Sequence, residues 1–250
     1  MYPKALLLAC AVITTLATAV YALTNRIAVS FTADQICVLS NGIPDHATGQ
    51  FPNRGNPHSI SEQNIRFCVT SSPQKGSTPQ DVRTIGIAEN GVIIRPGTAD
   101  YYDASSPRGH SRDRSSGWNL DGMGPDNTLG LDHNNAHVDH NGIYHYHGMP
   151  EALAATSQDT RIGWAADGFE IHYVGTSAKP SYMLKNGTRP TAPGGAYDGS
   201  YNEDFEYLRG YGNLDQCNGA MMNGQYVYFA TDAYPYYPRC LFGTEITHFR

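Results

Sequence analysis

Apolar residues in this chain occur in short runs of β-branched and aromatic side chains, bounded by glycine, proline and asparagine. Runs of this kind predict β-strands, and the Asn-Gly pairs between them predict tight turns. The predicted strands are residues 26–32, 65–70, 83–88, 92–94, 143–147, 169–173 and 226–230. One short helix is predicted over residues 150–156, where proline suits the first turn. The pattern therefore predicts a β-rich α+β fold, a single large domain built on β-hairpins with long ordered loops.

Two segments carry little hydrophobic pattern. Residues 71–81 (SSPQKGSTPQD) are expected to form a solvated loop, and residues 102–127 a long irregular stretch of the kind that often serves a function. Residues 23–80 are expected to form an N-terminal β portion that packs on a larger unit, residues 81–250.

The first 22 residues are typical of a cleavable secretory signal peptide. Lys4 precedes an apolar run over residues 5–20, and alanines occupy positions 19 and 22. Later apolar runs are too short to span a bilayer. We therefore expect a secreted, extracellular protein, periplasmic or at the cell surface if the source is bacterial, with no membrane span after signal cleavage. If the source is eukaryotic, Asn186 is a predicted glycosylation site because it begins an Asn-Gly-Thr sequon.

Charge and cysteine content agree with that location. The chain holds 23 acidic and 17 basic residues, a net charge of −6, so nucleic acid is not an expected partner. Four of its five cysteines remain once Cys10 leaves with the signal, and an even number in a secreted chain favours two disulfides. Sequence alone allows three pairings. We predict the local one, Cys37–Cys68 with Cys217–Cys240.

Residues 131–148 and 214–230 share a sequence frame. The first segment reads LDHNNAHVDHNGIYHYHG and the second LDQCNGAMMNGQYVYFA, with Leu-Asp, Asn, Asn-Gly and two tyrosines at matching places. A shared frame suggests one supersecondary unit used twice. We therefore predict two related β-hairpins that turn at their Asn-Gly pairs.

Histidine is concentrated in the first copy, where five of the chain's ten histidines lie between residues 133 and 147. Because side chains alternate along a strand, His145 and His147 share one face and the tyrosines between them occupy the other. The turn decides where His137 lies. A two-residue turn puts His137 on the tyrosine face, whereas a three-residue loop at 140–142 pairs it with His145.

Three neutral imidazoles on one face form a ligand set for Zn²⁺ or Cu²⁺. The second copy has alanine, valine and phenylalanine at the corresponding places, so the hairpin itself does not require histidines. We therefore predict that His137, His145 and His147 bind a Cu or Zn ion. Asp132 and Asp139 could supply oxygen ligands or orient an imidazole. For Asp132 a turn cap is the favoured role, since an aspartate occupies the same place in the second copy.

The run LGLDHNNAHVDHNGIYHYHGMP (129–150), followed by IGWAADGF (162–169), resembles the signature of the YHYH domain family, named for residues 144–147. Further matching pieces, in the family's order, are NGIPDHATGQFPN (41–53), NGVIIRPGTADYYD (90–103), GGAYDGSYNEDFEY (194–207) and LDQCNGAMMNGQYVYFATDAYPYYPRCLFG (214–243). The resemblance covers most of the mature chain. It implies a secreted protein and implies no settled activity.

The resemblance also bears on the site. Relatives often carry proline where this chain has His140, and proline cannot adopt the positive φ of a type I′ turn, which favours the three-residue loop. His46 falls within a shared segment and is the best distant candidate for a fourth ligand. Relatives tend to read DGFPIYG at residues 167–173, so Glu170 and His172 depart from the family pattern and take no role from it.

Two functions are compatible with these features. The first is a secreted metal-binding domain whose ion could activate water or cycle copper if it has an open coordination position. Asp139, Asp167 and Glu170 are then candidate general bases, although HExxH, GxSxG, P-loop and GxGxxG motifs do not occur, so catalysis stays open. The alternative is a structural or recognition protein of an extracellular matrix or cell surface, with matrix or glycan partners and no catalytic activity.

Overall fold

The computed structural model describes residues 23–125, 129–156 and 160–248, so the predicted signal peptide lies outside the described residues. The described chain is mostly β-structure, with one short α-helix, α1 (Glu151–Thr156), and two 3-10 turns at Gly175–Ser177 and Asn202–Asp204. None of the described helices is long and apolar enough to cross a membrane. The predicted β-rich single-domain fold is confirmed, and every predicted strand overlaps an observed one.

The strands are β1 (Ile27–Phe31), β2 (Gln35–Ser40), β3 (Ile65–Thr70), β4 (Lys75–Asp81), β5 (Gly86–Ala88), β6 (Ile93–Ile94), β7 (Gly97–Tyr102), β8 (His110–Ser111), β9 (Asn119–Asp121), β10 (Ala136–Val138), β11 (Tyr144–Tyr146), β12 (Arg161–Ala165), β13 (Glu170–His172), β14 (Tyr182–Leu184), β15 (Phe205–Tyr207), β16 (Gly219–Met222), β17 (Gln225–Phe229) and β18 (Cys240–Gly243). The stretch 102–127, expected to be irregular, contains the short strands β8 and β9.

An eight-stranded sheet with the order β10-β11-β6-β5-β12-β13-β17-β16 positions the candidate site. Its order is symmetric about the antiparallel pair β5–β12. Each half has a central hairpin (β5–β6 or β12–β13) and an edge hairpin (β10–β11 or β16–β17). The edge hairpin joins the central one through a parallel pair, β11 with β6 and β17 with β13. Two related halves thus build one sheet.

The central hairpins are related in sequence as well as in position. They read IGIAENGVIIR (85–95) and IGWAADGFEIH (162–172). A Cβ on Gly86 would lie 2.1 Å from a carbonyl oxygen of β12, and one on Gly163 would lie 2.3 Å from a carbonyl oxygen of β5. The close approach of the two strands therefore requires glycine at both positions. This second internal repeat was not predicted from the sequence.

The edge hairpins are the two related units predicted from the sequence. In the first, His137 pairs with His145 across β10 and β11. The N–H of Gly142 donates to the carbonyl of Asp139 (2.9 Å), and Gly142 has a φ of +80°. These contacts define a three-residue loop over residues 140–142. Of the two registers considered, the observed one therefore puts His137 on the same face as His145.

The second edge hairpin keeps the same pairing with one residue less in its turn. Ala220 pairs with Val227 across β16 and β17. Asn223 and Gly224 both have positive φ, 51° and 82°, as a two-residue type I′ turn requires. The length difference seen in the sequence is therefore confined to the turn.

An aspartate stabilises the loop that leads into each edge hairpin. Asp132 accepts hydrogen bonds from a loop N–H (2.9 Å) and from the hydroxyl of Tyr144 (2.7 Å). Asp215 accepts a loop N–H (3.0 Å) and the hydroxyl of Tyr226 (2.8 Å). Asp132 thus has the turn-cap role in this structure and also holds one tyrosine of the hairpin.

The N-terminal residues are continuous with the main core. Strands β1, β2 and β3 form an antiparallel sheet, and buried side chains of that sheet, including Val38, Phe67 and Val69, belong to the same apolar cluster as those of the eight-stranded sheet. Cys37 and Cys68 lie directly opposite one another on β2 and β3 and form a disulfide.

The expectation of a solvated loop at residues 71–81 was wrong, because β4 pairs with the buried strand β18. Side chains of β4 are mostly polar and exposed. Backbone hydrogen bonds to β18 therefore define this strand, and a hydrophobic pattern could not show it. The second disulfide, Cys217–Cys240, ties β18 to the loop before β16. Both predicted disulfides are confirmed.

We expect Asp132→Ala and Asp215→Ala to lower the free energy of unfolding by similar amounts, about 2–4 kcal/mol each. Each change leaves a buried tyrosine hydroxyl and loop N–H groups without their acceptor. Urea unfolding monitored by tryptophan fluorescence measures the effect. Asp81→Ala, at an exposed position on β4, is the control and should change stability by less than about 0.5 kcal/mol. If one variant lost much of its free energy of unfolding and the other lost none, the two loops would not be equivalent.

Candidate metal centre

Three imidazoles converge on one face of the first edge hairpin. His137 lies on β10, His145 opposite it on β11, and His147 directly after β11. The Nε2 atom of His145 lies 3.2 Å from Nε2 of His137 and 3.2 Å from Nε2 of His147. The candidate ligand atoms of the three residues all lie within 4.8 Å of one another. The structure therefore brings together the three histidines predicted to be ligands.

The other nitrogen of each ring is fixed by a main-chain carbonyl. Nδ1 lies 3.0 Å from the Leu129 oxygen in His137, 3.0 Å from the Ile143 oxygen in His145 and 3.1 Å from the Pro96 oxygen in His147. A carbonyl oxygen can only accept a hydrogen bond, so these contacts place the proton on Nδ1. Each neutral ring then presents the lone pair of Nε2 to the other two, which is the arrangement that a metal ion requires.

The nitrogen separations suit a transition-metal ion. Metal–nitrogen bonds of about 2.0–2.1 Å in a tetrahedral site place the nitrogens roughly 3.3 Å apart. Two of the three nitrogen separations, each 3.2 Å, agree with that value, and the third does not exceed 4.8 Å. Because the donor set consists of three protein ligands, the ion would keep at least one position for an external ligand, as catalytic zinc sites do.

A proton on one Nε2 would also satisfy the short contacts, but it would create a buried cation. His145 is 3% exposed and His147 is 1% exposed. Burial lowers the pKa of both well below the usual 6.5, and neighbouring imidazoles lower each pKa further. Burial also lowers the pKa of His137. The rings are therefore neutral near pH 7, which is the form that binds metals.

The family model described as "YHYH protein" matches residues 66–243. The chain belongs to the YHYH family. No curated protein and no solved structure matches it. In this YHYH protein the four residues that give the family its name are β11 and the histidine that follows it, so two of the three candidate ligands come from the motif itself.

The YHYH tyrosines lie on the face opposite the imidazoles. Tyr144 and Tyr146 are 1% and 0% exposed. The hydroxyl of Tyr146 accepts a hydrogen bond from Asn90 (2.9 Å) and lies 2.6 Å from Nε2 of His46. His46 is therefore on the tyrosine side of the sheet. The structure does not bring this candidate fourth ligand to the three converging Nε2 atoms.

Asp139 lies beside the cluster but is engaged with other groups. Its carboxylate pairs with Arg95 (2.8 Å) and accepts the N–H groups of Asn141 (2.9 Å) and Ile143 (3.2 Å). Burial opposes ionisation, but the hydrogen bonds from Arg95 and from these two amides outweigh it, so the pKa of Asp139 is lowered. Asp139 thus fixes the three-residue loop rather than contacting an imidazole.

The carboxylates considered as general bases are engaged as well. Asp167 is buried in the other half of the sheet and accepts the hydroxyl of Tyr228 (2.7 Å). Glu170 lies 2.9 Å from Nε2 of His172, and this hydrogen bond is the main reason that the pKa of Glu170 falls to about 2. Neither residue lines the cleft at the three histidines.

That cleft has a volume of about 270 Å³, and all three candidate ligands line it. Arginines contribute much of the remaining wall, and none of them was singled out from the sequence. The hydrophobic pattern carries no signal for them, because they lie on separate loops and strands that only the fold brings together.

The corresponding positions in the second half form an apolar cluster. Val227 and Phe229 occupy the places of His145 and His147 and are 3% and 6% exposed. They pack against Ala178 and Leu214, with Ala220 at the edge of the cluster. The same backbone frame therefore supports either three imidazoles or an apolar core.

The pKa directions predict the acid stability of the metal-free protein. Folded His145 and His147 resist protonation, whereas the unfolded chain takes up protons near pH 6.5. Stability is therefore fully present above about pH 6.5 and falls below it, by up to about 1.4 kcal/mol per pH unit for each histidine. Urea unfolding between about pH 8 and pH 5 measures this loss. His145→Val with His147→Phe should flatten the acid limb, and an unchanged limb would contradict the assignment.

The backbone at Gly122 approaches the ring of His147 closely. A Cβ there would lie 2.4 Å from its Nδ1. We expect Gly122→Ala to displace the ring and weaken metal binding by about tenfold or more, since the hydrogen bond to Pro96 also moves. Competition with a chromophoric chelator measures the affinity. Gly97→Ala is the matched control, because Gly97 lines the same cleft and an added Cβ would meet nothing within 4 Å. Equal losses in both variants would contradict the prediction.

Proposed function

We propose that this YHYH protein binds one transition-metal ion, Zn²⁺ or Cu²⁺, through the Nε2 atoms of His137, His145 and His147. The observation that carries the proposal is the convergence of three Nε2 lone pairs whose rings are each held by a carbonyl at Nδ1. Neutral imidazole suits Zn and Cu better than Mg or Ca, which prefer oxygen ligands. The lack of a carboxylate or thiolate among the three ligands agrees with that choice.

The ion has its external position at the cleft. A Lewis-acidic ion there could bind and polarise a ligand or lower the pKa of a bound water. The carboxylates that line the cleft, Asp100 and Asp139, are engaged with His110 and Arg95. Any hydrolytic activity would therefore rest on a metal-bound water rather than on a free carboxylate base.

We place the protein outside the cytoplasm, secreted after cleavage of residues 1–22. Two disulfides support this location, because they persist in oxidising compartments. Asn186 is exposed in the loop after β14, as a glycosylated asparagine must be, and its use depends on a eukaryotic source.

The matrix or glycan-recognition alternative finds less support. Three tyrosines near the C-terminus, Tyr234, Tyr236 and Tyr237, could serve such recognition if they formed an exposed platform. Tyr234 and Tyr237 are 8% and 0% exposed, so they pack inward and do not form a surface platform for sugars. Metal binding is therefore the function that the site supports best.

The decisive experiment uses the second half of the sheet as a template. The variant His137→Ala/His145→Val/His147→Phe places the residues of the apolar copy in the first hairpin. We expect the purified wild-type protein, without an affinity tag, to contain about one Zn or Cu ion per chain by elemental analysis. The variant should fold and contain none, because its replacements are those that the equivalent frame already accommodates.

Circular dichroism and thermal unfolding supply the folding control for this variant. A wild-type protein that contains no metal and takes up neither Zn²⁺ nor Cu²⁺ after dialysis would contradict the proposal. So would a folded triple variant that keeps the metal, since the ion would then lie elsewhere.

A further inference from the structure

Four arginines surround the mouth of the candidate metal centre. Arg83, Arg95, Arg108 and Arg112 all line the cleft that contains the three histidines. They come from a chain with a net charge of −6 and 17 basic residues in total. Two carboxylates, Asp100 and Asp139, line the same cleft. The wall of this cleft is therefore cationic on a chain that is acidic as a whole.

Most of this positive charge is not neutralised by the protein. Within the described part of the chain, no residue accepts a hydrogen bond from the guanidinium groups of Arg83, Arg108 or Arg112. Arg95 pairs with Asp139 through one terminal nitrogen, but its Nε is buried and has no partner among the described residues. Donor groups are thus available on several sides of the cleft.

These charges lie close to the imidazoles. Arg83 and Arg95 line the same cleft as His137, His145 and His147. A divalent ion at the three histidines would add two charges to this region. Since the three ligands are neutral, they supply no negative charge to offset the ion, and an anion that binds in the cleft would supply it.

From this charge imbalance we infer that the cleft binds a small molecule through a tetrahedral oxyanion, a phosphoryl or sulfuryl group shared between the metal ion and the arginines that line the cleft. The inference rests on the proposed metal function and assigns its ligand class. A phosphoryl or sulfuryl ester has three terminal oxygens, and free phosphate or sulfate has four, to distribute between an ion and guanidinium donors, whereas a carboxylate has two. Arginine binds such groups through two N–H donors in a planar fork.

The size of the cleft limits the rest of the ligand. A volume of about 270 Å³ lies just below the usual range for small-molecule sites. The cleft therefore suits a free oxyanion or a small ester, and it is too small to enclose a polymer.

The test titrates inorganic phosphate, sulfate, phenyl phosphate and acetate into the Zn²⁺-loaded protein by calorimetry. We expect phosphate or sulfate to bind at least about tenfold more tightly than acetate, because acetate has too few oxygens to use all the donors. Phenyl phosphate distinguishes an ester ligand from a free ion. In the Cu²⁺-loaded protein, the ³¹P resonance of bound phosphate should broaden, since the phosphorus lies next to the ion.

Arg83→Gln with Arg112→Gln should weaken phosphate binding by at least about tenfold for each arginine removed. The same variant should bind Zn²⁺ as tightly as the wild type or more tightly, because positive charge has been removed from beside the ion. Arg209→Gln, which removes one positive charge at an exposed position outside the cleft, is the control and should leave both affinities unchanged.

The outcomes separate this inference from the metal proposal. If the protein binds no metal, the elemental analysis shows this before any anion is added. A protein that holds its metal but binds neither phosphate nor sulfate overturns the oxyanion site alone. Unchanged phosphate binding in the double arginine variant, acetate binding as tight as phosphate, or an unbroadened ³¹P resonance would each overturn it as well.

Discussion

The site depends on three hydrogen bonds that do not involve a metal. In each ring the Nδ1–H donates to a carbonyl oxygen, those of Leu129, Ile143 and Pro96. These bonds fix both the orientation of the ring and the position of its proton. Without them, the imidazoles could turn away from each other to relieve the contact between their Nε2 lone pairs. With them, the lone pairs stay directed at one point, and a shared cation is the natural partner. Leu129 and Ile143 lie next to the edge hairpin, whereas Pro96 follows β6, so the centre is assembled only when β11 pairs with β6.

Duplication explains how the fold tolerates such an unfavourable cluster. Each half of the eight-stranded sheet repeats the same central and edge hairpins, with Asp132 and Asp215 in matching roles. In the second half, the positions of the imidazoles belong to an apolar cluster with Val227 and Phe229. The frame is therefore stabilised by its loops, its tyrosines and its central glycines rather than by the three variable positions. One half can therefore hold three imidazoles at these positions while the other holds apolar side chains.

The sequence predicted the parts of this arrangement that depend on local pattern. Alternation placed His145 and His147 on one face, and the shared frame identified both edge hairpins. The register of β10 against β11 did not follow from periodicity alone, because periodicity allowed two positions for His137. The family resemblance favoured the one observed. The repeat of the two central hairpins was not predicted, because the residues they share are mostly small and apolar and carry no distinctive chemistry. Strand β4 and the cleft arginines were missed for a related reason, because each depends on partners far along the chain. His46, proposed from the resemblance, lies beside Tyr146 on the other face.

Side chains alternate between the two faces of the sheet over residues 144–147, so the tyrosines pack in the core on one face and the histidines converge on the other. Burial and the nearby Asp132 carboxylate raise the pKa of Tyr144, and burial raises that of Tyr146, so both phenols stay protonated and serve as hydrogen-bonding core residues. Burial acts in the opposite direction on the histidines and keeps them neutral. The same desolvation therefore keeps the phenols of one face protonated and leaves the imidazoles of the other with free Nε2 lone pairs. Under the proposed function, a metal ion held by three neutral rings would keep its double charge, and the arginines that line the cleft would add to that field. Such a centre would attract anions, and this property would follow from the burial of residues 144–147 on both faces of the sheet.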